Sequence, residues 1–139
     1  MNRQEVTKEF IHLFRQLIRT SRADLSKLLE EFIPYNEYVF LGIVSEFGPL
    51  KPSEVAIRVN TTKAYVTMTS DKLVEKGFLE RTRSEEDRRA VFLHVTPKGE
   101  EVISQMREII VDYFDVKFVD LSETEIISVN ETLKKIPLK

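Results

Sequence analysis

The stretch Asp71-Lys72-Leu73-Val74-Glu75-Lys76-Gly77-Phe78-Leu79-Glu80-Arg81 decides how the chain is read. Its first half continues the three-and-four apolar spacing of a helix, and Gly77 is the residue type that ends one, because it accepts a left-handed backbone. Past Gly77 the pattern becomes extended, over Phe78 to Arg83. A second extended run, Val91 to Val95, sets Val91, Leu93 and Val95 against Phe92 and His94, the alternation of a strand with one covered face. Between the runs lies Ser84-Glu85-Glu86-Asp87-Arg88-Arg89. The spacing therefore predicts a helix, a tight glycine turn and a β-hairpin with a long charged tip.

Upstream, Asn60-Thr61-Thr62 supplies cap oxygens for the helix that ends at Gly77, predicted over Lys63 to Lys76. Before it, Pro52 to Val59 fits a short helix with proline at its first position and Glu54 in its first turn. Lys51 in the cap position cannot accept from the free backbone N–H groups, so a frayed start is expected there. Asn36 to Phe47 fits a helix closed by Gly48-Pro49. From Glu5 to Phe32 apolar residues recur at Val6, Phe10, Leu13, Phe14, Leu17, Leu25, Leu28, Leu29 and Phe32, with a gap at Ser21. That is an amphipathic helix longer than a small core requires, ended by Pro34.

Downstream, Thr96 caps a fifth helix with Pro97 at its first position and apolar residues at Val102, Ile103, Met106, Ile109, Ile110, Tyr113 and Phe114. Ser122 and Glu125 form a capping box for a sixth helix that ends before Pro137. The predicted architecture is mainly α with a small β-hairpin: three helices and a hairpin, the order of a winged helix-turn-helix, between long N- and C-terminal helices. It is read as one domain over residues 1–139, with about 36–96 as the winged helix and 1–34 and 97–139 as dimerisation helices. The flanking helices carry more apolar surface than such a module needs, which predicts a second copy of the chain as partner.

Composition narrows the function classes. The chain has 139 residues, 42% hydrophobic and 32% charged, with 4 Gly, 5 Pro and no Cys; this is globular composition, without collagen-like or disordered bias. Absence of cysteine excludes disulfides, thiolate zinc sites and a thiol nucleophile. Two histidines, His12 and His94, are too few for a histidine-rich metal site. No metal, cofactor or catalytic residue is predicted, since the Asp and Glu residues show no acid–base or metal spacing and no glycine-rich phosphate loop is present. The longest nearly unbroken apolar run, Tyr38 to Val44, is far short of the ~20 residues of a membrane span, and no signal-peptide pattern is read; a cytoplasmic protein without a membrane partner is expected. Net charge is −2. It is uneven: Met1 to Lys27 carries six Lys or Arg against three Asp or Glu, and Lys51 to Arg89 nine against seven, leaving an acidic remainder. A basic front on an acidic body can offer a local patch to phosphate.

Several fragments together resemble a known family. They are Leu50-Lys51-Pro52-Ser53-Glu54-Val55-Ala56, Tyr65-Val66-Thr67, the helix–turn–strand stretch quoted first, and Asp87-Arg88-Arg89 leading to Val95-Thr96-Pro97-Lys98-Gly99. At this spacing the chain closely resembles the MarR family of transcriptional regulators, over about half its length by motif and all of it by element order. The resemblance implies a homodimeric winged helix that binds double-stranded DNA at a pseudo-palindromic site, usually as a repressor released by a small molecule. It places Thr62, Lys63, Ala64, Tyr65, Thr67 and Met68 at the groove-entering end of the fourth helix, and Arg83, Asp87, Arg88 and Arg89 on the wing. Thr and Lys can reach base edges, and Ala or Met a thymine methyl. Arginines on a thin ribbon suit a narrow minor groove, and Asp87 is placed to hold one of them as a bidentate pair.

Two departures stand out. Family members commonly carry Arg and two aliphatic residues where this chain has Met68, Thr69 and Ser70, and a Thr cap where it has Lys51. Relatives that sense peroxide through cysteine have no counterpart here. The family's effector cavity lies where the flanking helices meet the DNA-binding part; His12, Arg15, Tyr35 and Tyr38 are the candidates to hold a small anionic aromatic effector there. His94 reads as structural. The competing reading is a winged-helix protein-interaction or ligand-binding module without DNA recognition, favoured by Met68, Glu85 and Glu86.

Overall fold

A computed structural model describes residues 1–138. The element order is α1 (Arg3–Leu29), α2 (Tyr35–Phe47), α3 (Pro52–Val59), α4 (Lys63–Glu75), β1 (Leu79–Arg83), β2 (Val91–Val95), α5 (Pro97–Lys117) and α6 (Glu123–Leu133). This is a winged helix-turn-helix with flanking helices, mainly α with one hairpin. The chain divides into two compact units, Met1–Met106 and Arg107–Lys139.

Local chemistry sets the ends of most elements. Asn2 caps α1 by accepting the Glu5 N–H at 2.9 Å. That helix stops at Leu29, three residues before the predicted Phe32, because the Phe32 and Ile33 N–H groups both turn back to the Leu29 carbonyl. Ser21, a gap in the apolar pattern, is buried: a small side chain there permits close approach. At α3 the expected frayed start is closed from the other side, since the Glu54 carboxylate accepts the Lys51 backbone N–H at 3.0 Å. Thr62 caps α4 through the Tyr65 N–H at 3.1 Å, and Ser122 and Glu125 cap α6 reciprocally at 3.1 Å each.

The end of α4 is a left-handed turn at Gly77, φ +80°, with the Phe78 N–H bonded to the Leu73 carbonyl at 3.0 Å. Thr96 then ties this turn to α5: its hydroxyl donates to the Gly77 carbonyl at 2.6 Å and accepts the Gly99 N–H at 3.0 Å. Gly99 sits so close to the Phe78 carbonyl and the Val95 side chain that a Cβ there would overlap both.

β1 and β2 pair antiparallel, Leu79 with Val95, Arg81 with Leu93 and Arg83 with Val91. A third, one-residue strand joins them, Leu50, which exchanges both backbone hydrogen bonds with Leu93 at 3.2 and 2.8 Å. The predicted alternation of β2 is only partly realised. Leu93 alone is buried, and Phe92 and His94 are half-covered like Val91 and Val95. His94 bonds to the Thr82 hydroxyl across the hairpin, a structural role.

The core of the first unit comprises Leu25, Leu29, Ile33, Phe40, Leu41, Val44, Leu50, Val55, Val66, Leu73, Leu79, Leu93, Ile103 and Met106. One ion pair reaches into it: Glu37, almost fully buried in the first turn of α2, holds Lys76 at the C-terminal cap of α4 at 2.7 Å. In contrast, α1 exposes Val6, Phe10, Leu13, Phe14, Leu17 and Ile18, with Phe10 and Phe14 stacked at 5.7 Å. The second unit holds an aromatic row, Tyr113–Phe114–Phe118, with centroids 5.0 and 5.2 Å apart, and exposes Val111, Val116, Val119, Ile127 and Val129. Among the described residues no helix is long and apolar enough to cross a membrane.

Candidate nucleic-acid interface

Helix α3 ends in a left-handed residue, Asn60 at φ 58°, and the Thr61 N–H returns to the Ala56 carbonyl at 2.9 Å. Two residues later Thr62 starts α4, so the turn of the helix-turn-helix is fixed by its own backbone. Val55 and Ala56 of α3 and Val66, Thr69, Ser70 and Leu73 of α4 are buried. The stripe on α4 is unusually polar: Ser70 satisfies itself by donating to the Val66 carbonyl one turn back.

Burying that stripe leaves Lys63, Ala64, Thr67, Met68 and Asp71 exposed. The hydroxyl of Thr67 donates to the Lys63 carbonyl at 3.1 Å, and Met68 is 50% exposed. Tyr65 is half-buried, its hydroxyl accepting from Asn36 Nδ2 at 2.7 Å. Asp71 is paired with Arg81 of β1, which joins the exposed face of α4 to the hairpin. Neither Asn36 nor Arg81 is among the predicted site residues. Asn36 lies 29 residues from Tyr65, and no local pattern signals such a contact. Arg81 belongs to the family-like stretch, and its pairing with Asp71 spans ten residues and a chain reversal.

The wing tip is built by short-range hydrogen bonds. Ser84 Oγ accepts from the Glu86 and Asp87 N–H groups at 3.3 Å. Asp87 does not hold an arginine side chain as expected; its carboxylate accepts the Arg89 backbone N–H at 3.0 Å. The reason is reach: two residues apart in a turn, a short carboxylate meets the main chain before it meets a long guanidinium. Arg83 reaches across instead, its Nη1 donating to the Arg88 carbonyl at 2.9 Å. Arg88 and Arg89 are exposed and make no ion pair among the described residues, so the ordered tip presents two free guanidinium groups alongside the exposed Glu85 and Glu86.

The four candidate effector residues lie on α1 and α2. Tyr35 and Tyr38 are neighbours in the first turn of α2, with ring centroids 6.3 Å apart. His12 and Arg15 lie on the half of α1 that is exposed throughout, ahead of its first buried residue, Ser21.

The fold has counterparts among known proteins. A family model described as MarR family matches residues 33–91. The "Uncharacterized HTH-type transcriptional regulator YpoP" of Bacillus subtilis (strain 168) is 32% identical over 127 residues, covering 91% of this chain and 90% of its own length. A MarR family protein from Bacillus stearothermophilus has the same fold, with a TM-score of 0.87 at 22% identity over 97% of this chain and 94% of that one. FabT of Streptococcus pneumoniae, solved in complex with DNA, is similar with a TM-score of 0.69 and 25% identity, covering 96% of this chain and 94% of its own.

Proposed function

The chain belongs to the MarR family of transcriptional regulators, and from that premise we propose that it binds a pseudo-palindromic site on duplex DNA as a cytoplasmic homodimer and represses until a small molecule releases it. It regulates transcription and is not an enzyme. Residues 36–96 serve as the DNA-binding part. The N-terminal end of α4, with Thr62, Lys63, Ala64, Tyr65, Thr67 and Met68, enters the major groove. Arg83 and Asp87 shape the wing, and Arg88 and Arg89 enter the adjoining minor groove, whose potential attracts guanidinium. The observation that carries this reading is the wing tip itself: an ordered loop holding two unpaired arginines beside a helix-turn-helix.

The flanking segments 1–34 and 97–139 supply the partner surface. Apolar side chains exposed along α1, and separately within Arg107–Lys139, are more than a monomer leaves in water. A second copy covers them in this reading. For the effector, Tyr35 and Tyr38 offer an aromatic wall to a small anionic aromatic molecule, with His12 and Arg15 as the polar groups of α1 that attract its charge. The test of DNA binding is a mobility shift on duplex DNA from the protein's own promoter at two salt concentrations. A shifted band that weakens steeply with salt is expected. No band at low salt overturns the proposal in favour of a protein-interaction module.

A further inference from the structure

The exposed face of α4 has little left with which to read a base by hydrogen bonding. Asp71 is occupied by Arg81. The Thr62 oxygen caps the helix, and Ser70 is buried and bonded within α4. The hydroxyl hydrogen of Thr67 is committed to the Lys63 carbonyl, so that side chain offers a methyl group and an acceptor oxygen. Lys63 is a single flexible ammonium: it can donate to guanine, but it lacks the rigid guanidinium fork that fixes a bidentate geometry. No arginine, asparagine or glutamine lies between Lys63 and Glu75. Besides Lys63 and Thr67, the side chains that the first two turns expose are apolar: Ala64, and Met68 at 50%.

We propose that α4 reads thymine C5-methyl groups in the major groove, with Met68 and Ala64 as the contacting residues, so that the half-site selected by this chain carries A·T pairs opposite the N-terminal half of α4. The inference rests on α4 being the groove-entering helix. Thymine alone among the four bases puts a methyl group in the major groove. A thioether side chain is unbranched and polarizable and adapts to such a group. The same A·T pair presents the adenine N6–H as a donor, which suits the acceptor oxygen of Thr67. The acceptor pair of guanine finds no matching fork here.

The experiment replaces thymine by deoxyuridine. The two bases differ only by the major-groove methyl, so wing contacts in the minor groove keep their partners. Duplexes enriched from a random pool by the full-length protein are resynthesised with single thymines changed to deoxyuridine, and binding is followed by fluorescence anisotropy at one fixed salt concentration. Removing one methyl that the helix touches should weaken binding about fourfold, the value of one methyl-sized apolar contact. Changes in the flanking base pairs should have no effect. In the Met68→Ala variant the thymine-to-deoxyuridine ratio should fall towards one at the position Met68 touches. The inference is overturned if deoxyuridine duplexes bind as well as their thymine parents, if Met68→Ala keeps the full ratio, or if enriched half-sites carry G·C pairs there. Absence of binding to every duplex at low salt is a different result: it removes the DNA-binding reading itself, and this inference with it.

Discussion

The Asn36 side chain donates to the Tyr65 hydroxyl at 2.7 Å, tying the first turn of α2 to the first turn of α4. A phenol that accepts in this way keeps its own hydrogen for an outside acceptor, and in the proposed complex that acceptor is a DNA phosphate. Asn36→Ala and Tyr65→Phe should each weaken binding about three- to tenfold, the range for one net hydrogen bond. Combined, they should cost little more than Tyr65→Phe alone, because both act on one contact. Anisotropy titrations of the four proteins complete the cycle, and full additivity would count against a shared contact.

The wing should carry more of the affinity than α4. Arg88→Ala or Arg89→Ala should weaken binding at least about tenfold and lower the slope of log K against log salt by ~0.9 for each phosphate no longer neutralised. Met68→Ala should cost only a few-fold, and Met68→Arg should raise affinity for most sequences without sharpening preference for any one. A crippling Met68→Ala with silent wing variants would reverse this division.

Dimerisation should be lost when charge is placed on the exposed stripe of α1. Phe10→Glu with Leu17→Glu is expected to give monomers by light scattering at micromolar concentration, where the parent chain should be a dimer. Footprints of the parent should show two half-sites about one helical turn (~34 Å) apart. A stable parent monomer would remove the assembly.

Lys76→Met strands the Glu37 carboxylate, whose side chain is only 5% exposed while that of Lys76 is 39% exposed. Breaking a fully buried pair from one side costs about 3–5 kcal/mol, and the partial exposure of Lys76 reduces this to about 2–3 kcal/mol. The double variant Glu37→Leu/Lys76→Met should recover most of the loss, since an apolar pair needs no partner charge. Urea unfolding midpoints at constant m decide it.

Gly99→Ala should destabilise by about 1–3 kcal/mol, the usual range for forced overpacking. The added methyl meets the Phe78 carbonyl and the Val95 side chain, and a backbone oxygen cannot swing aside. A Tm equal to that of the parent would show that α5 shifts without cost.

Element order was legible in the sequence because its causes are local. The span of α3, the caps at Thr62 and Thr96, the glycine turn at 77 and the capping box at Ser122 each depend on residues within about four positions of one another, the distance over which a helix end satisfies its own N–H and C=O groups. The exposed face of α4 followed in the same way from a 3.6-residue period. Tertiary structure alone decided what joins distant positions. Leu50 becomes a strand only because Leu93 offers it both backbone hydrogen bonds. Ser21 is buried rather than a gap, Asp71 pairs with Arg81, and Asn36 meets Tyr65. At the wing tip the contacts are local: Asp87 turned to the backbone of Arg89 and Arg83 crossed to the Arg88 carbonyl, leaving both wing guanidinium groups unpaired. For positions far apart in the chain, such as Asn36 and Tyr65, the partner is set by where the fold places the next donor or acceptor, and composition and spacing carry no record of that distance.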